Sequence, residues 1–455
     1  MTEAMTDPVS PGGRSRPHEA VLMLDTSRVS VSGCHRLDER NTYPVIGGRD
    51  EPGQRSETVR RANLSAILRE LHAHGPLSRS ELVARTGLTR SAIRSLIGEL
   101  VDAGLVSEER AVPVGTPGRP SPLVRVNPDG AVALALEIAV DSLAVAVVGL
   151  GGQVLELIRV DRPRGHSSVD EIVDDLMELA SAARARRPAD DALVGVGVAV
   201  VGVVRRTDGL VSMAPNLGWR DVPLGDRLGR ALAVPVPISI ANEADLGALA
   251  EHRRGAAIGT DDVLFLSGDV GLGGGLIVDG QPFTGAAGYG GEIGHIPVNP
   301  TGATCRCGSA GCWETEVGEE ALLTRAGHPR SGGRAEVDAV LREAADGSET
   351  ALAALDHVGR WLGLGLAGLV NVLNPRLIVL GGGFGRIYPF VIRSLEEELD
   401  RRTLEAPRSM VRVVATRLAE LAPLLGAAEL AFEPLLADPA IRVQPSDTLA
   451  ALASA

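Results

Sequence analysis

Three thiols crowd into the eight residues Cys305-Arg-Cys307-Gly-Ser-Ala-Gly-Cys312, and an imidazole, His295, stands ten positions upstream of the first. Three thiolates and one imidazole make a complete tetrahedral set for a structural Zn2+, with no position left open for water. Such an ion would brace its loop and take no part in hydrolysis. Gly308 and Gly311 let the backbone fold back around it. The fourth cysteine, Cys34, lies far away near the N-terminus, so the thiols do not read as a disulfide framework.

A second group suited to chemistry is Thr89-Arg90-Ser91 with Arg94-Ser95. On a helix these five form one exposed face, which can enter a DNA major groove with arginine on guanine edges and hydroxyls on phosphates. Arg60, Arg61 and the Gly118-Arg119-Pro120 segment would add phosphate or minor-groove contacts.

The elements that must position these groups are legible from period and punctuation. Thr58–Ala73 has helical spacing and stops at Gly75-Pro76; Ser78-Arg-Ser-Glu81 is a capping box opening a short helix that ends at Gly87. Thr89 caps a third helix with Ile93, Leu96, Ile97 and Leu100 inward. Leu105–Glu108 and Leu123–Val126 read as strands flanking a proline-rich tip, which completes a winged helix-turn-helix over 56–126. From 131 to 436 the pattern becomes mixed α/β. Strand-like runs at Ala133–Val148, Val154–Val160, Leu193–Val204 and Val234–Ile240 precede a second set from Val263 to Ala415. A helix near Leu418–Leu436 closes the chain. Residues 1–55 read as a disordered extension and 437–455 as a flexible tail.

Charge separates the same regions. The 455 residues carry a net −13, yet 56–126 holds ten Arg against seven acids, while 127–455 carries −15. A small basic segment precedes a large acidic one. All 45 basic residues are arginine, which excludes lysine chemistry such as a Schiff base or a P-loop lysine. The longest apolar runs, Ala192–Val204 and Trp361–Val370, are shorter than the ~20 residues of a membrane span, and Ala20–Leu24 is too short for a secretory signal. A cytoplasmic protein is expected, with no membrane partner.

Gly290-Gly-Glu292-Ile-Gly-His295, then Cys305-x-Cys307-Gly-x-x-Gly-Cys312-Trp313-Glu314, resembles the signature of the ROK family of repressors and sugar kinases. The resemblance spans about 131–436 and includes Ala214–Trp219, Ala241–Ala244, Asp269–Gly275 and Leu380–Gly383. It implies a two-lobed, actin-like (ribonuclease-H-like) fold with a sugar in the cleft. By the same resemblance Asn216, Asn242, Glu243, Glu292, His295 and Glu314 hold sugar hydroxyls, His295 joining metal to sugar.

Two departures point away from the kinase branch. Where family kinases have an Asp-x-Gly-Gly-Thr phosphate turn, this chain has Glu137-Ile-Ala-Val-Asp141, with neither glycine and an added carboxylate. The catalytic Asn-Asp pair becomes Asn242-Glu243. The expected function is a sugar-responsive DNA-binding regulator, a repressor of carbohydrate genes. An active ROK sugar kinase is the alternative. Its partners would be an operator duplex, a sugar or sugar-phosphate effector, and further copies of the chain in a homodimer or tetramer.

Overall fold

A computed structural model describes residues 52–109, 122–165, 168–188, 191–330 and 332–440. Its N-terminal region runs α1 (Pro52–His74), β1 (Leu77–Ser78), α2 (Arg79–Thr86), α3 (Arg90–Asp102), β2 (Val106–Glu109) and β3 (Leu123–Val126). The caps act as their residue types require. Glu81 N–H donates to Ser78 Oγ at 3.2 Å, and Ser78 N–H to Glu81 Oε2 at 2.7 Å. Gly87 closes α2 in the left-handed region at φ 70°, and Thr89 Oγ1 accepts from Ala92 N–H at 3.2 Å. β3 lies between β1 and β2 in an antiparallel sheet, a winged helix-turn-helix. Arg119 and the wing tip lie outside the described residues, as do residues 1–51 and 441–455. The first helix starts at Pro52, earlier than its apolar period alone reveals.

The first lobe contains β4 (Val132–Ile138), β5 (Ser142–Gly149), β6 (Val154–Asp161), α4 (Val169–Ala185) and β7 (Leu193–Val200). A small sheet follows, β8 (Val203–Arg205), β9 (Leu210–Ala214) and β10 (Trp219–Pro223), then α5 (Leu224–Leu232), β11 (Ile238–Asn242) and α6 (Glu243–Arg254). The second lobe contains β12 (Val263–Gly268), β13 (Leu272–Val278), β14 (Gln281–Pro282), α7 (Glu314–Val317), α8 (Glu319–Ala326), α9 (Arg334–Ala345) and α10 (Glu349–Leu373). It ends with β15 (Leu377–Gly382), α11 (Gly383–Arg402), α12 (Glu405–Met410), β16 (Arg412–Ala415) and α13 (Ala422–Ala437).

The two five-stranded sheets repeat one plan. Each opens with an antiparallel three-strand meander, β4-β5-β6 or β12-β13-β14. Two later strands then add in parallel on the other side of its first strand, β7 and β11 or β15 and β16. This duplication is the two-lobed, ribonuclease-H-like arrangement.

Several boundaries differ from the sequence reading. Ala133–Val148 is a hairpin, β4 and β5, because both strands are buried and show no alternation across the turn at Ala139–Asp141. Leu193–Val204 breaks at Gly202 (φ 108°). The Val234–Ile240 run yields β11 only from Ile238, after Pro237. The closing helix begins with a 3₁₀ turn at Ala419–Leu421 before α13.

One hydrophobic cluster crosses from the winged helix into the first lobe. It joins Leu64 and Leu68 of α1 to Ala133 and Ala135 of β4 and to Phe432 and Leu436 of α13. α13 itself lies directly on β7: a methyl on Gly195 or Gly197 would run into the Ala431 or Ala427 carbonyl oxygen.

Candidate functional site

A cavity of about 330 Å3 opens between the lobes, within the ~300–1,000 Å3 typical of small-molecule sites. Asn216, Asn242, Glu243, Glu292, His295 and Glu314 all line it. They come from the loop after β9, the β11–α6 junction, the 3₁₀ turn Ile293–His295 and the start of α7. Asn242 has the narrowest role open to it. Its Oδ1 caps α6 by accepting from Ala244 N–H (2.7 Å) and Asp245 N–H (3.4 Å), and Nδ2 donates to the Gly202 carbonyl (2.9 Å). One amide hydrogen remains for the cavity. Asn216 Oδ1 accepts from Arg306 Nη1 at 2.6 Å.

Glu243, at the first position of α6, has no hydrogen-bond or ion-pair partner among the described residues. Burial pushes its carboxyl well above the usual range, and the nearby Asp269, Glu137 and Asp141 push it further. Burial also raises Glu292; His295 opposes that shift and Glu314 adds to it.

Beside the cavity, ligating atoms of His295, Cys305, Cys307 and Cys312 all lie within 4.8 Å of one another. Cys305 Sγ is 3.6 Å from His295 Nδ1, and Cys307 Sγ is 3.7 Å from Cys312 Sγ. Two thiolates bound ~2.3 Å from one tetrahedral ion stand about 3.8 Å apart, so the spacing suits a zinc-sized cation. Gly311 (φ 72°) makes the return of the loop possible, since a methyl there would run into the Asn299 carbonyl. Burial pushes the Cys305 thiol up, and its hydrogen bond to Glu314 Oε1 (2.8 Å) does so too; a cation would reverse both. With Nδ1 turned to the thiols, His295 keeps Nε2 free of them.

Far from the cavity, Thr89, Arg90, Ser91, Arg94 and Ser95 are all exposed along one side of α3. Thr89 Oγ1 is partly engaged, as the helix cap and 3.1 Å from Ser91 Oγ. Arg90 and Arg94 have no partner among the described residues. Arg60 and Arg61 differ. Arg60 pairs with Glu99 at 2.8 Å, and Arg61 with Glu57 at 2.7 Å and Asp438 at 3.5 Å. A phosphate would have to displace their own acids.

Some residues of consequence carry no local signal in sequence. Arg159 holds Glu137 at 2.8 Å. Arg164 clasps Asp141 of the β4–β5 turn (2.8 Å) and Glu319 of α8 (2.6 Å), tying the first lobe to the second. At the far end of α6, Arg253 meets Glu429 (3.0 Å) and Glu433 (2.7 Å) of α13, and Arg254 meets Glu429 and donates to the Gly151 carbonyl (2.6 Å). Glu429 also faces His72 Nε2 of α1 at 3.1 Å, while Gly151 N–H donates to His72 Nδ1 at 3.0 Å. Burial pushes the Glu429 carboxyl up, but His72, Arg254 and Arg253 outweigh it and hold the group far below the usual range. α6 therefore has one end in the cavity and the other in the joint with α1.

Comparison with known proteins agrees with this anatomy. The ROK family matches residues 133–433, and the MarR family matches residues 65–115. The xylose repressor of Caldicellulosiruptor bescii is 27% identical over 395 residues, 84% of this chain and 98% of that protein. A glucokinase of Streptomyces coelicolor is 30% identical over 318 residues, 66% of this chain and 98% of its own. Among solved structures, a ROK family transcriptional regulator described as a homolog of the E. coli MLC protein superposes with a TM-score of 0.70 at 25% identity, covering 85% of this chain and 99% of that one. A ROK family glucokinase from Streptomyces griseus, in complex with glucose and AMPPNP, gives 0.59 at 28% identity over 66% of this chain and 98% of its own. The regulator and the repressor thus match more of the chain than the kinases do. Sequence and fold reach the same answer over both lobes: the chain belongs to the ROK family.

Proposed function

We propose that this protein is a sugar-responsive DNA-binding transcriptional regulator, a repressor of carbohydrate genes, whose kinase-like domain serves as a sensor. The observation that carries the reading is a recognition helix with two arginines, Arg90 and Arg94, that have no partner among the described residues, built on the same folded body as a sugar-sized cavity. The xylose repressor and the regulator structure support it by matching the chain from winged helix to second lobe. In this reading Asn216, Glu243, Glu292, His295 and Glu314 accept or donate to sugar hydroxyls, with Asn242 giving its one remaining N–H. Zn2+ held by His295, Cys305, Cys307 and Cys312 would supply structure only, fixing the loop that presents Glu292 and His295. The protein works as at least a homodimer, because paired wings read the two halves of a palindrome.

Phosphoryl transfer is disfavoured by the residues present. Ala139, Val140 and Asp141 occupy the phosphate turn, and Glu243 is about one methylene, roughly 1 Å, longer than the usual base, a displacement that can cost about 10²-fold. The glucokinase relatives and the intact Gly271-Leu-Gly-Gly-Gly275 run entering β13 favour the second reading, a sugar kinase. One paired experiment separates the two: operator mobility shift with and without a panel of sugars, beside ADP release from ATP with the same panel. Sugar-dependent DNA binding without ADP release is expected. ADP release at a kinase-like rate would overturn the sensor reading.

A further inference from the structure

The cavity is charged, and its charges are not balanced. Where Glu243 stands, the wall also carries Glu137, Asp141 and Asp269, the acids near enough to act on its carboxyl. Of the four arginines that line the cavity, three are paired with the protein's own acids, and the fourth, Arg306, rests on a neutral amide with Glu320 at 3.5 Å. Arg159 is on Glu137 (2.8 Å), Arg306 is on Asn216 (2.6 Å), Arg334 is on Glu420 and Arg386 is on Asp338. Glu243 has no basic partner among the described residues. One preformed anion site does face this wall, the N-terminus of the twenty-residue α11, where free backbone N–H groups would favour a phosphate. It is filled from within: Gly383 N–H donates to Asp269 Oδ1 at 3.1 Å. Burial raises the Asp269 carboxyl despite that bond, as expected for an acid crowded by others.

We infer that the cavity takes an uncharged monosaccharide and refuses its phosphate esters, with Glu243 and Asp269 setting the discrimination. This deepens the sugar-responsive reading and rests on it. A phosphate group entering beside Glu243 meets a cluster of acids already too crowded to ionise freely, finds Arg159, Arg334 and Arg386 engaged by the protein's own carboxylates, and cannot use the α11 terminus without evicting Asp269. Hydroxyl groups face no such obstacle, because carboxylates accept from them.

The test is calorimetric binding to the full chain of D-glucose, D-xylose and N-acetyl-D-glucosamine, each beside its terminal phosphate ester. At least one free sugar should bind, and its ester at least tenfold more weakly. The Glu243→Gln/Asp269→Asn double variant, nearly isosteric, should narrow that ratio at least tenfold by gaining affinity for the ester. The wild-type ratio stands alone should the double variant fail to fold. An ester that binds as tightly as its free sugar, or more tightly, overturns the inference and leaves the sugar reading intact. Binding by none of the six removes the sugar reading and this inference with it.

Discussion

Arg94 sits mid-face on α3, exposed and without a partner among the described residues, where a guanidinium can address two acceptors of one guanine. Arg94→Ala should weaken specific operator binding by about 1–3 kcal/mol and random DNA binding much less, as read by mobility shift on both duplexes. Equal losses would reduce Arg94 to a phosphate contact. Elemental analysis should find one zinc per chain in the wild type and none in Cys307→Ser, which loses one of four converging side chains and should also bind sugar more weakly through Glu292 and His295. Asp245 supplies a pH-dependent case. It lies in the first turn of α6 and is only 9% exposed; burial lifts its carboxyl to about 7, with Arg206 opposing and Glu292 adding. Between about pH 4 and 7 the folded chain therefore holds a proton that the unfolded chain has lost. That contribution to stability falls as pH rises through this window and levels off above it. Asp245→Asn should accordingly favour the folded state more at pH 8 than at pH 5, by a difference on the order of 1–2 kcal/mol in unfolding free energy measured at the two pH values. A difference independent of pH would show that the carboxyl is already ionised throughout.

At the scale of elements, what was legible in sequence was what is local. Ser78, Glu81, Gly87 and Thr89 punctuate α2 and α3 within twelve residues, and each cap forms as its residue type requires. The cluster of one imidazole and three thiols was readable for the same reason, its four side chains falling between His295 and Cys312. The joint between α1 and α13 was not. It is made by partners such as Ser65 and Leu436, whose 2.6 Å hydrogen bond spans 371 positions, and by Glu429, an acid inside an apolar helix whose three basic partners lie on α1 and α6. Nothing near Glu429 in sequence announces them. Removing its charge leaves Arg253 and Arg254 facing each other without that carboxylate between them, a change that can cost about 3–5 kcal/mol when one partner of a buried pair is lost. Glu429→Gln should speed amide exchange in α1 while leaving β12 amides as protected as in wild type. Unaltered α1 exchange would mean that the apolar cluster alone holds the winged helix.

For the whole molecule, the cavity and the DNA face are connected by α6. Its Glu243 end touches ligand in the proposed reading, and its Arg253–Arg254 end holds the carboxylates that meet α1. Arg254→Met should leave sugar affinity within about twofold and operator affinity without sugar nearly unchanged, while shrinking the shift in operator affinity that sugar produces. A full-sized shift in that variant would place the coupling elsewhere. The glycine contacts of α13 bear on how such coupling behaves. Gly195 and Gly197 bring β7 against its backbone, and Gly426 brings it equally close to Leu246 of α6, so no flexible side chain cushions either face. A coupling without backlash runs as well in reverse as forward. An operator duplex gripping the wings should change the cavity's hold on its sugar by the same factor that sugar changes the hold on DNA. Cells that titrate the protein onto many operators would then alter the sugar level at which it responds.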